Sequence, residues 1–226
     1  ISFAEAQNAL KDGLSTWDFA SDGNPDIILV GIGDYMTKEA LAAIEMIKHD
    51  APEIRIRFVN IVRLQAACTC TDEYHPQIPH AEKYFTVNKP VIVNFHGYPE
   101  VMKAILFNVK NPERFSIHGY REQGGTTTPF DMQVRNKTDR FHLSMEIVLR
   151  MGQDGVIEKK KADELVEKYE RALDEHHRYI ITNGCDPVEV ENWQWSGTAR
   201  VKADVDAVTH TDLLKYAKTI AFVGLS

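Results

Sequence analysis

Runs of apolar residues, separated by polar segments, predict an α/β fold over the first half of the chain. The nearly continuous apolar runs at residues 26–30 (DIILV) and 90–95 (PVIVNF) are typical of strands that are covered on both faces. Residues 54–62 (IRIRFVNIV) predict another strand, because apolar and polar positions alternate at its start. Residues 114–118 (RFSIH) predict a fourth, weaker strand.

Helical periodicity fills the intervals between these strands. Residues 3–20 predict a helix and a following turn, and Thr37 is placed to cap a second helix. Pro99 suits the first turn of a third helix, whose predicted buried stripe consists of Val101, Met102, Ile105 and Leu106. Beyond residue 120 helices dominate. Strands that alternate with helices predict βαβ units, so we expect a three-layer αβα fold with a mainly parallel sheet.

Composition narrows the classes of function. The chain of 226 residues carries a net charge of −7, which argues against nucleic-acid binding because that function needs a basic face. Its apolar runs are too short for a membrane helix. The odd count of three cysteines (Cys68, Cys70 and Cys185) fits a reducing compartment, and we expect a cytoplasmic protein. The first residue is Ile1 rather than Met, so we expect a piece of a longer protein.

Candidate ligand-binding residues follow from topology, because ligands of open α/β sheets collect at the carboxyl ends of the strands. The residues that follow or end the predicted strands are Gly33 and Asp34, Asn60, His96 and His118. His96 and His118 each begin a His-Gly-Tyr sequence. Each imidazole either binds a phosphate or acts as an acid or base, or it caps a strand end while the glycine permits the turn.

The loop Gly124-Gly125-Thr126-Thr127-Thr128 offers a second candidate. Its hydroxyl and amide groups beside a helix start suit an anion nest. The alternative is that Thr128 simply caps the helix that Pro129 opens. The turn GIGDYM at residues 31–36 lacks the third glycine of a dinucleotide-binding fingerprint, and Cys68, Cys70, His75 and His80 lack the usual spacing of zinc ligands.

Four segments together resemble the C-terminal domain of the phosphoketolase family. They are DIILVGIGDYMTKEALAAIEMI, IRFVNIVRL, KPVIVNFHGYPEVMKAI and IHGYREQGGTTTPFDMQVRNKTDRFHLSMEIV. The pair FHGYP and HGY…GGTTTPFDM is the most specific part. The resemblance predicts a phosphoketolase C-terminal-like α/β domain over residues 1–195, similar to the C-terminal domain of transketolase. It leaves residues 196–226 as an extension that matches nothing expected of the family.

The resemblance implies a function for the full-length parent protein. Phosphoketolases use thiamine diphosphate and Mg²⁺ to cleave xylulose 5-phosphate or fructose 6-phosphate with inorganic phosphate, and they release acetyl phosphate and an aldose phosphate. Two thiamine-binding domains precede the C-terminal domain, and the active site lies between the subunits of a dimer. This chain lacks the family's Gly-Asp-Gly…Asn motif for the metal and diphosphate. We therefore expect no cofactor, no metal and no catalytic activity in this chain alone.

The expected roles are structural. The domain packs against the N-terminal and middle thiamine-binding domains, extends the contact of a homodimer or larger assembly, and borders the substrate entrance. The candidate contacts for the entrance are His96, His118, Gly124, Gly125, Thr126, Thr127, Thr128 and Asp131. One alternative is an interaction module of another transketolase-like enzyme with no small-molecule site. Another is a small autonomous enzyme that uses His96 or His118 as a base.

Overall fold

A computed structural model describes residues 3–68, 83–122 and 128–183 of the chain. The chain forms two compact units, residues Ile1–Tyr169 and Glu170–Ser226. The first unit contains the sheet. Of the second unit, the described residues are 170–183, which form the end of a long helix. The predicted domain boundary at residue 195 lies outside the described residues and stays a prediction.

A five-stranded sheet with the strand order β1-β3-β2-β4-β5 forms the centre of the first unit. The strands are β1 (Leu14–Thr16), β2 (Ile27–Ile32), β3 (Ile56–Ile61), β4 (Val91–Phe95) and β5 (Phe115–Gly119). Strands β2 to β5 run parallel, whereas β1 pairs with β3 in the antiparallel direction. The prediction of a mainly parallel sheet is confirmed, and the short edge strand β1 is an element that the sequence pattern missed.

Helices follow β2, β4 and β5 and flank the sheet. They are α1 (Phe3–Asp12), α2 (Asp34–Asp50), α3 (Pro99–Ile105), α4 (Pro129–Asn136), α5 (Arg140–Gln153) and α6 (Lys159–Asn183). Pro99 and Pro129 each occupy the first turn of a helix, as their fixed φ favours. In the described ranges, no helix combines the length and the apolar character that a membrane crossing requires.

Two apolar clusters cover the two faces of the sheet. Because successive side chains of a strand point to opposite faces, Ile27 and Leu29 join one cluster and Ile28 and Val30 join the other. The first cluster contains buried residues of α2, α5 and α6, such as Ile44, Ile147 and Tyr169. The second contains Met102 of α3 and Leu106, which directly follows that helix. The structure therefore confirms the predicted three-layer αβα architecture.

Two local predictions are wrong. Helix α2 begins at Asp34 rather than after Thr37, because Gly33 adopts a φ of 93° that lets the chain turn directly from β2 into the helix. Thr37 lies inside the first turn of that helix. In α3, Val101 is 44% exposed, whereas Met102 and Leu106 are buried. The short helix exposes more of its apolar surface than its periodicity suggested.

Candidate functional site

A row of residues crosses the sheet one position before the carboxyl ends of the parallel strands. Ser15 pairs with Asn60, Asn60 with Gly31, Gly31 with Asn94, and Asn94 with His118. Paired residues of neighbouring strands share a face of the sheet, so these side chains point toward α2 and α5. We call these five residues the polar row.

Asn60 holds the turn between β2 and α2 in place. Its side-chain amide donates hydrogen bonds to the carbonyl of Gly31 at 3.1 Å and to Oγ1 of Thr37 at 3.2 Å. A side chain at Gly31 would collide with this arrangement, since an added Cβ would lie 2.9 Å from the ring of Phe58 and 3.0 Å from Oγ1 of Thr37. The sequence marked Asn60 as a candidate for chemistry, and the structure gives it a buried structural role.

Asn94 connects the sheet to two helices. It is fully buried, and its amide nitrogen donates to the carbonyls of Met36 at 3.2 Å and Thr138 at 2.9 Å. Within the described part of the chain, its Oδ1 has no hydrogen-bond partner. Sequence reasoning did not select Asn94, although a single amide within the apolar run PVIVNF was a visible signal.

A buried ion pair lies beside the polar row. The carboxylate of Glu39 in α2 accepts hydrogen bonds from Nε and Nη2 of Arg140 at 2.8 and 2.7 Å, and from the Arg140 backbone amide at 2.9 Å. The side chains of Glu39 and Arg140 are only 1% and 9% exposed. This bidentate pair joins the first half of α2 to the first residue of α5. The sequence pattern did not predict it.

His118, at the outer end of the polar row, contacts a helix. Its Nε2 lies 2.5 Å from Oε2 of Glu146 in α5, and Arg150 donates from Nε to the other oxygen of Glu146 at 2.9 Å. Burial works to raise the pKa of Glu146, but the hydrogen bond and charge of His118, with help from Ser116 and Arg150, lower it to about 2. Glu146 is therefore a carboxylate at neutral pH, and His118 donates to it.

His96 lies just beyond the end of β4 and is more accessible. Its Nδ1 is 3.4 Å from Oδ1 of Asp34, the first residue of α2. Its ring meets Tyr35 and Tyr120 edge to face, with ring centroids 6.1 and 5.2 Å away. A Cβ on Gly33 would lie 2.5 Å from the Cβ of His96, so only glycine permits this approach. We call Asp34, Tyr35, His96 and Tyr120 the strand-end cluster.

The electrostatics of the strand-end cluster favour a charged Asp34. The backbone amide of Tyr35 donates to the Asp34 carboxylate and is the main cause of its lowered pKa, with a smaller contribution from His96. The side chain of His96 is 39% exposed, and that of Asp34 is 82% exposed. An accessible imidazole beside a carboxylate can donate a hydrogen bond to an anionic group or exchange a proton with solvent.

The two His-Gly-Tyr sequences interlock but are not equivalent. Because Asn94 pairs with His118, it is Tyr120 rather than His118 that lies beside His96. The backbone amide of Tyr120 donates to the carbonyls of Phe95 and Gly97 at 3.2 and 3.0 Å. The structure thus separates the two histidines: His96 lies at the open edge of the sheet, and His118 lies half-buried under α5.

The predicted loop site is only partly within the described residues. Gly124, Gly125, Thr126 and Thr127 lie outside them. Thr128 caps α4, since its hydroxyl accepts a hydrogen bond from the Asp131 backbone amide at 3.1 Å. The capping role of Thr128 is therefore confirmed, while an anion site in this loop stays a prediction.

The described residues offer no evident metal centre. In residues 3–68, 83–122 and 128–183, no three side chains of His, Cys, Asp or Glu are grouped so that they could hold a metal ion. Cys68 lies at the end of one described range, whereas Cys70, His75 and His80 lie outside it. In the turn that begins like a dinucleotide fingerprint, Met36 is fully buried where the fingerprint needs glycine, so this turn does not match that fingerprint.

The solved structures that match this chain include two transketolases. Transketolase from Leishmania mexicana matches with a TM-score of 0.40 and 12% identity, covering 72% of this chain and 19% of that one. A transketolase mutant from Pichia stipitis matches with a TM-score of 0.43 and 12% identity, covering 62% of this chain and 18% of that one.

Curated relatives are much closer in sequence. A probable phosphoketolase 2 of Rhizobium meliloti is 39% identical over 192 residues, which cover 84% of this chain and 24% of the relative. A probable phosphoketolase of Brucella abortus is 38% identical and covers 87% of this chain and 25% of the relative. The chain therefore spans about a quarter of the length of these relatives. The profile of the XFP C-terminal domain family matches residues 1–195, and the chain belongs to that family.

Proposed function

We propose that this chain is the C-terminal domain of a thiamine-diphosphate-dependent phosphoketolase. The parent enzyme cleaves xylulose 5-phosphate or fructose 6-phosphate with inorganic phosphate, and it releases acetyl phosphate and an aldose phosphate. The observation that carries the proposal is the alignment of 84% of this chain, at 39% identity, with 24% of a probable phosphoketolase. A segment of that share corresponds to one domain of a multidomain chain.

In the proposed parent, this domain supplies no group that holds the cofactor. Thiamine diphosphate and Mg²⁺ bind to the N-terminal and middle thiamine-binding domains, because this chain lacks the Gly-Asp-Gly…Asn motif. The domain packs against those two domains and extends the contact of a cytoplasmic homodimer. The αβα core suits this role, since its buried polar row fixes the helices that carry the outer surface.

The carboxyl edge of the sheet is our candidate for the border of the substrate entrance. His96 is partly exposed there beside Asp34, and the rings of Tyr35 and Tyr120 contact it edge to face. Residues Gly124–Thr127 lie between β5 and α4 in the sequence, and we include them in the same candidate entrance. Sugar phosphates carry anionic and hydroxyl groups, and imidazole, hydroxyl and backbone amide donors recognise both.

Kinetics of the full-length parent test this proposal. We expect the parent to form acetyl phosphate and the present chain alone to form none. His96→Ala in the parent should raise the Michaelis constant for phosphate or the sugar phosphate roughly threefold or more, with little change in kcat, because it removes binding rather than chemistry. His49→Ala is the matched control, since the side chain of His49 is 84% exposed and lies near the opposite end of α2.

The outcomes separate the parts of the proposal. A parent that forms no acetyl phosphate overturns the phosphoketolase assignment. Acetyl phosphate formation with unchanged Michaelis constants in His96→Ala removes the entrance role and leaves the domain as a packing module. Acetyl phosphate formation by this chain unaided contradicts the division of labour between the domains.

A further inference from the structure

Helix α1 has an apolar stripe that the other described residues leave exposed. Phe3 and Leu10 are 79% and 67% exposed, and Ala9 is the one buried residue of the helix. At helical spacing Phe3, Ala6 and Leu10 share one face, next to Ala9. The polar residues Glu5, Asn8 and Asp12 lie on the opposite side of the helix. We call Phe3, Ala6 and Leu10 the α1 stripe.

The last turn of α1 is nevertheless firmly attached to the sheet. The carbonyl of Gly13, directly after the helix, accepts hydrogen bonds from the amides of Val62 and Arg63 at 3.0 and 3.2 Å, and Nη2 of Arg63 donates to the carbonyl of Lys11 at 3.1 Å. Directly afterwards, β1 pairs with β3 through Leu14 and Ile61. These bonds fix the position of the helix, so the α1 stripe is presented outward in a defined orientation.

A helix of this length needs a partner for its apolar face. Isolated helices shorter than about 12–15 residues are marginal in water, and most helices in proteins are stabilised by packing of their apolar side. Helix α1 has 10 residues, of which one is buried. Two large apolar side chains on one exposed face therefore mark a contact surface rather than a solvated one.

We infer that the α1 stripe is the surface on which the preceding domain of the parent chain docks. This inference rests on the proposed function. The family is a C-terminal domain family, and the curated relatives extend over about four times the length that this chain spans, so a large part of the parent lies before α1. As the first described helix, α1 is the element nearest to the junction with that part.

Hydrogen exchange in the full-length parent tests the inference. We expect the amides of residues 3–12 to exchange at least about tenfold more slowly in the parent than in the present chain alone, because docking would cover a helix that otherwise has one buried residue. The double variant Phe3→Ser/Leu10→Ser should abolish that difference in the parent. The control Phe107→Ser should preserve it, since Phe107 is 77% exposed but follows α3 rather than lying on α1.

Each other outcome overturns the inference. Equal exchange of α1 in the parent and the isolated chain, or protection that survives the double variant, shows that the stripe is not the docking surface. Protection of the isolated chain that increases with concentration assigns the stripe to a second copy of the chain instead. Acetyl phosphate formation by the same wild-type parent is measured in parallel, so a failed function assignment is distinguished from a failed docking surface.

Discussion

One buried ion pair, between Glu39 and Arg140, fixes the relative positions of two helices. Glu39 and Arg140 have almost no exposure to solvent, so each would be costly to bury without the other. Their two parallel hydrogen bonds, and the third from the Arg140 backbone, satisfy both oxygens of the carboxylate. The pair fixes where α5 begins relative to α2. Asn94 of the polar row connects the sheet to the regions where the same two helices begin.

The first prediction concerns this ion pair. Glu39→Gln should lower the free energy of unfolding by about 3–5 kcal/mol, because it leaves the Arg140 guanidinium buried without its counter-charge. The matched control is Glu164→Gln, which breaks an exposed pair with Lys160 that has a separation of 3.6 Å, and we expect it to cost about 0.5 kcal/mol or less. Urea unfolding measures both, and equal effects would contradict the structural role of the buried pair.

The second prediction is a pH dependence at Glu146. Its folded pKa of about 2 lies below the ordinary value of 4.5, so its contribution to stability is fully present above about pH 4.5 and is lost as the pH falls toward 2. In Glu146→Gln, the loss of unfolding free energy between about pH 5 and about pH 3 should be smaller than in the wild type by about 2 kcal/mol. Parallel pH profiles of the variant and the wild type would refute it.

At the scale of elements, the turns after β2, β4 and β5 depend on glycine for close approach. A Cβ on Gly119 would meet the ring of Pro99 and lie 2.5 Å from the carbonyl oxygen of Gly97, which is backbone and cannot rotate away. A Cβ on Gly33 would likewise lie too close to the Cβ of His96. These contacts pack the two His-Gly-Tyr sequences together and hold the strand-end cluster.

The third prediction tests this packing. Gly119→Ala should destabilise the chain by about 1–3 kcal/mol, because the end of β5 must separate from the start of α3 to admit the methyl group. Gly23→Ala is the control, since a Cβ at Gly23 would have nothing within 4 Å. Thermal unfolding of both variants is the measurement. If Gly119→Ala unfolds at the same temperature as Gly23→Ala, the interlocked turns do not constrain the fold.

At the scale of the whole molecule, the proposed function assigns cofactor binding to the other domains of the parent. The fourth prediction is that calorimetry of this chain with thiamine diphosphate and Mg²⁺ gives no heat of binding, whereas the full-length parent binds both. The reason is the proposed function, in which the thiamine-binding domains hold both groups and this chain lacks the Gly-Asp-Gly…Asn motif. Tight binding to the chain alone would contradict the proposed division between domains.

Local pattern predicted the parallel strands and two helix starts, but it missed β1 and misplaced the start of α2. The apolar runs at residues 26–30 and 90–95 correctly predicted β2 and β4, and Pro99 and the Thr128-Pro129 pair correctly predicted two helix starts. This succeeds because burial on two faces, proline geometry and helix capping are properties of a few neighbouring residues. The four segments that resemble the phosphoketolase C-terminal domain also predicted the family, which the match to residues 1–195 confirmed.

Partners that are distant along the chain were decided only by the tertiary structure. Glu39 and Arg140 are 101 positions apart, and His118 and Glu146 are 28 apart, so no local periodicity encodes either pair. The register of β4 against β5 places Asn94, not His96, beside His118, and thereby gives two identical tripeptides different surroundings. A strand's sequence determines that it is buried, but its register, and so the neighbours of each polar side chain, follow from how all the strands and helices pack together.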